Sequence, residues 1–229
     1  MKLLAFDTST ETLSIAVSDG AQTWSHTGAG GAQASATLIP AIEALLRQAG
    51  FGLGRLDAIV FGCGPGSFTG LRTACAVAQG LGFGAGVPVL PIDTLMAVAE
   101  EARQREGALR VVAALDARMD ELYAAGYESG GGAAGPWQQQ AGPRLIRPED
   151  LQVPSGWALA GNVFAAYGAR LPAGCPRIEA LPAAAALLRL APALLAAGAA
   201  VPAERALPLY IRDKVAKTTE ERAAERAAP

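Results

Sequence analysis

Residues 62–72 read Gly62-Cys63-Gly64-Pro65-Gly66-Ser67-Phe68-Thr69-Gly70-Leu71-Arg72 and follow directly on Leu56-Asp57-Ala58-Ile59-Val60-Phe61. Four glycines within nine positions require a backbone explanation. A strand that runs into Gly-Pro-Gly must turn sharply, because glycine tolerates positive φ while proline fixes its own φ and biases its predecessor away from helix. Ser67 stands where it can cap a following helix. A phosphate cradle would use the free N–H groups of such a helix start. The nucleotide P-loop, however, ends in Gly-Lys-Ser/Thr, and this chain offers Thr69-Gly70-Leu71-Arg72 without lysine.

The helix that follows is built almost entirely from small residues, from Thr73 to Gly84. Each interior glycine costs about 1 kcal/mol against alanine, so the glycines need a reason. Thr73, Ala76, Gly80 and Gly84 fall on one flat stripe that would let another helix approach closely. Two readings stand: the stripe packs on the chain's own sheet, or it is a face for a second chain.

At 229 residues the chain can bury a proper core, as one large domain or two lobes. Its net charge of −2 argues against an autonomous nucleic-acid binder, which would carry a basic stripe. Cys63, Cys75 and Cys175 are an odd count without C-x-x-C spacing, which suggests a reducing cytoplasm rather than a disulfide frame or zinc site. His26 is the single histidine, and we read it as structural; no metal site is expected. Asp7 interrupts the apolar start too early for a signal peptide. The Ala/Leu-rich stretch 181–201 is broken by Arg189 and Pro192, which predicts two short helices and no membrane span.

Along the chain, Lys2 to Asp7 and Ser14 to Ser18 read as paired strands, with a third near Thr23 to His26. A helix follows from Ser35, with Leu38, Ile42, Leu45 and Ala49 on one face, Ile39 and Leu46 beside them, and Gly50 as its stop. Strand 56–61, the small-residue helix, strand 88–91 and helix 94–105 complete a first lobe, 1–106. Residues 110–127 then repeat the plan of strand, Asp, polar turn, strand, now around Asp116, so a second and reduced lobe is expected over 107–206. Residues 128–143, with Gly130-Gly131-Gly132 and Gln138-Gln139-Gln140, read as a loop or hairpin tip. Trp157 to Asn162 reads as a strand ending in a turn. A C-terminal segment, 207–229, is free to return to the first lobe and to end in a disordered tail.

Asp7 with its hydroxyl-rich turn, Asp116 with a second turn, and Gly161 together resemble the actin-like ATPase and sugar-kinase superfamily. That resemblance implies an α/β fold of two similar lobes with mixed sheets and flanking helices. It also implies that Asp7, Thr8, Ser9, Thr10, Asp116, Arg118 and Gly161 are vestiges of nucleotide or phosphate contacts. The pattern is eroded: Ser9 stands where those enzymes place glycine, Ala117-Arg118 replaces a glycine pair, and Gly161-Asn162 closes the third turn. The same aspartates also read as ordinary turn chemistry at strand ends.

Asp7-Thr8-Ser9-Thr10-Glu11, Gly64-Pro65-Gly66-Ser67-Phe68-Thr69-Gly70-Leu71-Arg72, Ala78-Gln79-Gly80-Leu81, Asp116-Ala117-Arg118-Met119 and Leu209-Tyr210-Ile211-Arg212 resemble the TsaB (YeaZ) family in order. The resemblance implies a non-catalytic subunit in the synthesis of N6-threonylcarbamoyladenosine at position 37 of tRNA. Its implied partners are a catalytic TsaD-like paralogue and a TsaE-like ATPase, with tRNA met only through the complex and a homodimer when the partner is absent. It implies no cofactor required by this chain, with room for ATP, ADP or Mg²⁺ in the complex. The family pairs through the first two helices of its first lobe, which here implies an interface of Leu38, Ile42, Leu45, Phe68, Arg72, Thr73, Ala76, Gly80 and Gly84. Two positions depart from the family: Ala34 replaces a frequent His and Cys63 a frequent Arg. The rival expectations are an ATP-dependent kinase or ATPase of the superfamily and a glycoprotease-like metallopeptidase.

Overall fold

The computed structural model describes residues 1–132 and 135–212. Strand β1 (Leu3–Asp7) pairs antiparallel with β2 (Thr12–Ser18), Asp7 opposite Ser14, and β2 pairs with the edge strand β3 (Thr23–Ala29). On the other side β1 runs parallel to β4 (Ala58–Gly64), which runs parallel to β5 (Val89–Asp93), giving the order β3-β2-β1-β4-β5. Every residue of β1 is buried because helices cover both faces of the sheet, so it reads as a continuous apolar run.

The second sheet repeats the plan. Strands β6 (Arg110–Asp116), β7 (Leu122–Ser129) and β8 (Trp137–Ile146) form an antiparallel meander, while β9 (Ala158–Gly161) and β10 (Arg177–Glu179) add in parallel on the other side of β6. The order β10-β9-β6-β7-β8 has the same connectivity as the first sheet. These are the two mixed sheets of an actin-like fold. Gln138, Gln139 and Gln140 lie inside β8 rather than in a loop, because cross-strand pairing with β7 overrides their weak β propensity.

Helices α1 (Ala34–Ala49) and α2 (Phe68–Ala85) cover the outer face of the first sheet, over Leu4, Phe6, Ile15, Ile59 and Phe61. Both end on a left-handed glycine, Gly50 with φ 74° and Gly86 with φ 66°. Helices α3 (Thr94–Glu106) and α5 (Ala184–Ala196) lie between the sheets, where Leu95, Val98, Leu187 and Leu190 join Val60 and Leu90 of one sheet to Val111 and Ala113 of the other. Among the described residues the outer face of the second sheet carries the single turn α4 (Phe164–Tyr167) and packed loops around Leu151, Val163 and Leu171.

The stretch 181–201 holds one helix, α5 (Ala184–Ala196), rather than two, with Pro192 inside it. The chain also returns to the first sheet earlier than position 207. Helix α5 packs on β1, β2 and β4, Val201 pairs with Val89 of β5, and Ala203 and Ala206 enter the outer core of the first lobe. A buried ion network fixes α3 to α5 and β8: Arg189 Nε donates to Glu100 Oε1 at 2.8 Å, and Trp137 Nε1 donates to Glu100 Oε2 at 3.0 Å. Among the described residues no helix is long and apolar enough to cross a membrane. The expected disordered tail, from 213 on, lies outside the described residues.

Candidate functional site

The glycines of the 62–70 loop are accounted for by backbone approach. A Cβ on Gly70 would lie 1.9 Å from Thr8 O, one on Gly66 2.6 Å from Ser9 O, and one on Gly62 1.8 Å from Asp7 Oδ2. Gly64 has φ +122° and faces Leu209 O, and its peptide bond to Pro65 is cis. The loop is therefore docked on the β1–β2 turn. Ser67 N donates to Ser9 O at 2.7 Å, and Thr8 Oγ1 donates to Gly70 O at 2.7 Å. The chain's own β1–β2 turn takes up the Ser67 N–H, a donor that a phosphate cradle at this helix start would use.

Asp7 and Thr8 are buried behind this contact and do not line the cleft, contrary to their expected role as phosphate contacts. Asp7 Oδ1 accepts from Ser9 N at 2.9 Å and from Ser9 Oγ at 2.7 Å, while Oδ2 has no hydrogen-bond partner. Burial pushes the carboxyl up to about 6, against the opposing pull of the Ser9 hydrogen bonds. Nearby, burial and then Asp93 push the Cys63 thiol up to about 12, so it is an inert thiol rather than a nucleophile.

Between the lobes lies a cleft of about 840 Å³, walled by Ser9, Thr10 and Ser67 on one side and Asp116, Arg118 and Asn162 on the other. Its charges are already paired. Arg118 reaches across to Glu11 of the first lobe and lies 3.4 Å from Asp116 Oδ2. Asp116 Oδ1 accepts from Arg118 N at 2.8 Å and from Tyr167 OH at 2.7 Å, and burial with this contact pushes the Tyr167 phenol up to about 12. Gly161 is set by the close passage of β6, since a Cβ there would meet Ala114 O at 1.6 Å; Asn162, not Gly161, lines the cleft. Of the seven expected phosphate contacts, Ser9, Thr10, Asp116 and Arg118 line the cleft.

The outer face of α2 is different. Leu71, Ala74, Cys75, Ala78 and Gly82 pack inward, while Ala76, Gly80 and Gly84 are exposed and Thr73 is half-buried. A Cβ on Gly80 or Gly84 would meet nothing within 4 Å, so the stripe does not pack on the chain's own sheet. Phe83 stands beside it at 82% exposure, and Ile39 of α1 is 41% exposed. Phe68 and Arg72 are exposed at the first turn of α2, the guanidinium 3.8 Å from the Phe68 ring centroid. Leu38, Ile42 and Leu45 are a correction: they are buried in the first lobe's core, so their side chains cannot meet a partner. The apolar arc of α1 is wider than its buried face, and Ile39 is the large apolar residue it leaves exposed. Phe83 is absent from the interface expected from the sequence, though a lone large apolar residue among glycines on a helix is the signal that marks it. Among the described residues no three His, Cys, Asp or Glu gather where they could hold a metal.

A family profile described as "TsaD: tRNA N6-adenosine threonylcarbamoyltransferase" matches residues 22–173. The tRNA threonylcarbamoyladenosine biosynthesis protein TsaB of Escherichia coli (strain K12) is 34% identical over 228 residues, 94% of this chain and 96% of that protein. The protein of the same name from Haemophilus influenzae is 44% identical over 123 residues, 54% of this chain and 52% of its own length. Among solved structures, YeaZ from Pseudomonas aeruginosa superposes with a TM-score of 0.84 at 40% identity, covering 91% of this chain and 99% of that one. With the same two-sheet fold and a relative matched over nearly its whole length, this chain belongs to the TsaB/YeaZ family.

Proposed function

We propose that this chain is a non-catalytic subunit of the complex that transfers threonylcarbamoyl to N6 of adenosine 37 in tRNA, and that it docks a catalytic TsaD-like paralogue on the outer face of α2. The observation that carries this reading is the open helical face of Ala76, Gly80 and Gly84 beside the exposed Phe83 ring. An apolar face of this shape admits a helix at close range and is poorly suited to remain in water. In the absence of that partner the same face pairs two copies of the chain, and the TsaE-like ATPase and tRNA are met through the complex.

An ATPase reading is less well supported, because Arg118, the cation among the expected phosphate contacts, is held by Glu11 and Asp116. The test is reconstitution. The chain alone should give no threonylcarbamoyl transfer to tRNA and should co-purify with the TsaD-like partner, on which transfer depends. Robust transfer by the isolated chain, or failure to bind that partner, would overturn the proposal.

A further inference from the structure

The motif Leu209-Tyr210-Ile211-Arg212 lies outside the Ala76, Gly80, Gly84 and Phe83 face proposed above, and its contacts join the two lobes. Its approach is fixed to the first lobe. Gln79 Nε2 donates to Ala206 O at 2.8 Å, Leu209 N donates to Cys63 O at 2.7 Å, and the Tyr210 ring lies 5.4 Å from that of Phe68. Its end is fixed to the second lobe. Arg212 Nη2 donates to Glu121 Oε2 at 2.7 Å, to Ala117 O at 3.1 Å and to Arg118 O at 3.3 Å, with Nη1 on Met119 Sδ. The Arg212 side chain is only 9% exposed, so this pairing is shielded from water.

What Arg212 grips is unusual. Arg118, Met119 and Asp120 run at φ 60°, 54° and 65°, three consecutive non-glycine residues in the left-handed region. Each carries a Cβ that disfavours this conformation, so the turn persists only where its surroundings impose it. Within the turn, Ala117 N donates to Glu121 O and Glu121 N to Arg118 O, and Arg170 holds Asp120 from outside. Arg212 is the member of this set that arrives from a segment anchored on the other lobe. In parallel, Arg118 pairs with Glu11 across the same cleft.

We propose that residues 207–212 form a clasp that fixes how far the interlobe cleft opens, with Arg212 as its latch on the β6–β7 turn. Helices α3 and α5 join the lobes at the base of the cleft through the shared core. The clasp adds to this join from the cleft: Ile211 packs against the same shared core, and Leu209 to Arg212 form part of the cleft wall. Releasing the latch frees the strained turn and lets the lobes part at the mouth while the core stays intact.

The test uses the whole chain with Arg212→Lys, which keeps the charge but loses the forked donor, and Glu121→Gln, which removes the anion and keeps the shape. Amide exchange at Ala117, Glu121 and Leu209 should accelerate together by about tenfold or more, the scale of losing a charge-assisted hydrogen bond. Amides of β4 and β6 should be unchanged. A second readout is the disulfide formed on oxidation by the double substitution Glu11→Cys, Arg118→Cys, whose rate should fall several-fold when Arg212→Lys is added. If only Ala117 and Glu121 exchange faster while cross-linking is unchanged, Arg212 is a local brace of the turn and the clasp is wrong. The clasp is equally wrong if no amide responds. Should Arg212→Lys fail to fold, Glu121→Gln decides by the same two measurements.

Discussion

Gly80 and Gly82 lie two residues apart on α2 and should respond differently to the same substitution. Alanine at either position gains about 1 kcal/mol of helix stability over glycine. At Gly80 nothing offsets the gain, because a new Cβ meets no atom within 4 Å. At Gly82 the Cβ would stand 2.8 Å from Val89 Cγ1, 3.0 Å from Val87 O and 3.2 Å from Ala203 Cβ. Val87 O belongs to backbone that cannot yield freely, since Val87 N closes the helix end by donating to Gly82 O at 2.9 Å. Overpacking of this kind costs about 1–3 kcal/mol, so it cancels or exceeds the helical gain. For a chain of this length 1 kcal/mol corresponds to about 2–4 °C in Tm. Scanning calorimetry at low protein concentration, where self-association adds least, should find Gly80→Ala raised by a few degrees and Gly82→Ala unchanged or lowered. Gly80→Leu should also hold or raise Tm while lowering affinity for the TsaD-like partner about tenfold or more. A Tm lowered by Gly80→Ala would refute the outward orientation of the stripe. A stable Gly80→Leu variant with unchanged affinity would refute its use as the docking face.

Asp7 predicts a pH signature. Its pKa in the folded chain is raised to about 6 from 3.8, so the native state holds the proton more tightly than the unfolded one. The stability it contributes is full below about 4 and is lost as pH rises through about 6. In urea titrations the gap between Asp7→Asn and the parent chain should move by about 2 kcal/mol in the variant's favour from pH 4 to pH 7; parallel stability profiles would refute the burial argument. Glu100 gives a contrast with Arg118. Removing the buried Glu100 carboxylate in Glu100→Ala takes the anion from Arg103 and the acceptor from the Trp137 N–H, while Arg189 keeps Glu101, and should cost about 3–5 kcal/mol. Arg118→Ala breaks pairs whose Arg118 side chain is 69% exposed and should cost no more than about 1 kcal/mol in the same assay.

The sequence by itself determined the local grammar of this protein. Gly50 and Gly86 end their helices, Ser67 caps α2, and the Asp7 and Asp116 hairpins announce two sheets of one plan, because each of these signals is read by the nearest few residues. The density of glycine between positions 62 and 70 likewise declared a backbone requirement, read as a sharp turn, but not the close approach of the β1–β2 turn that accounts for Gly62, Gly66 and Gly70. Tertiary structure decided the rest. Small residues line every side of α2, so the sequence cannot say whether Ala74, Ala78 and Gly82 or Ala76, Gly80 and Gly84 face the sheet; only the packing of β4 and β5 chooses. Ile39 and Ile42 are chemically alike, and the sheet has room to bury only one of them. The fate of Arg118 rests on Glu11, 107 positions away, and the role of Arg212 on a turn more than 90 positions earlier. Such pairings leave no periodic trace in the chain, because they arise when two separately patterned lobes are brought face to face by the core that α3 and α5 share.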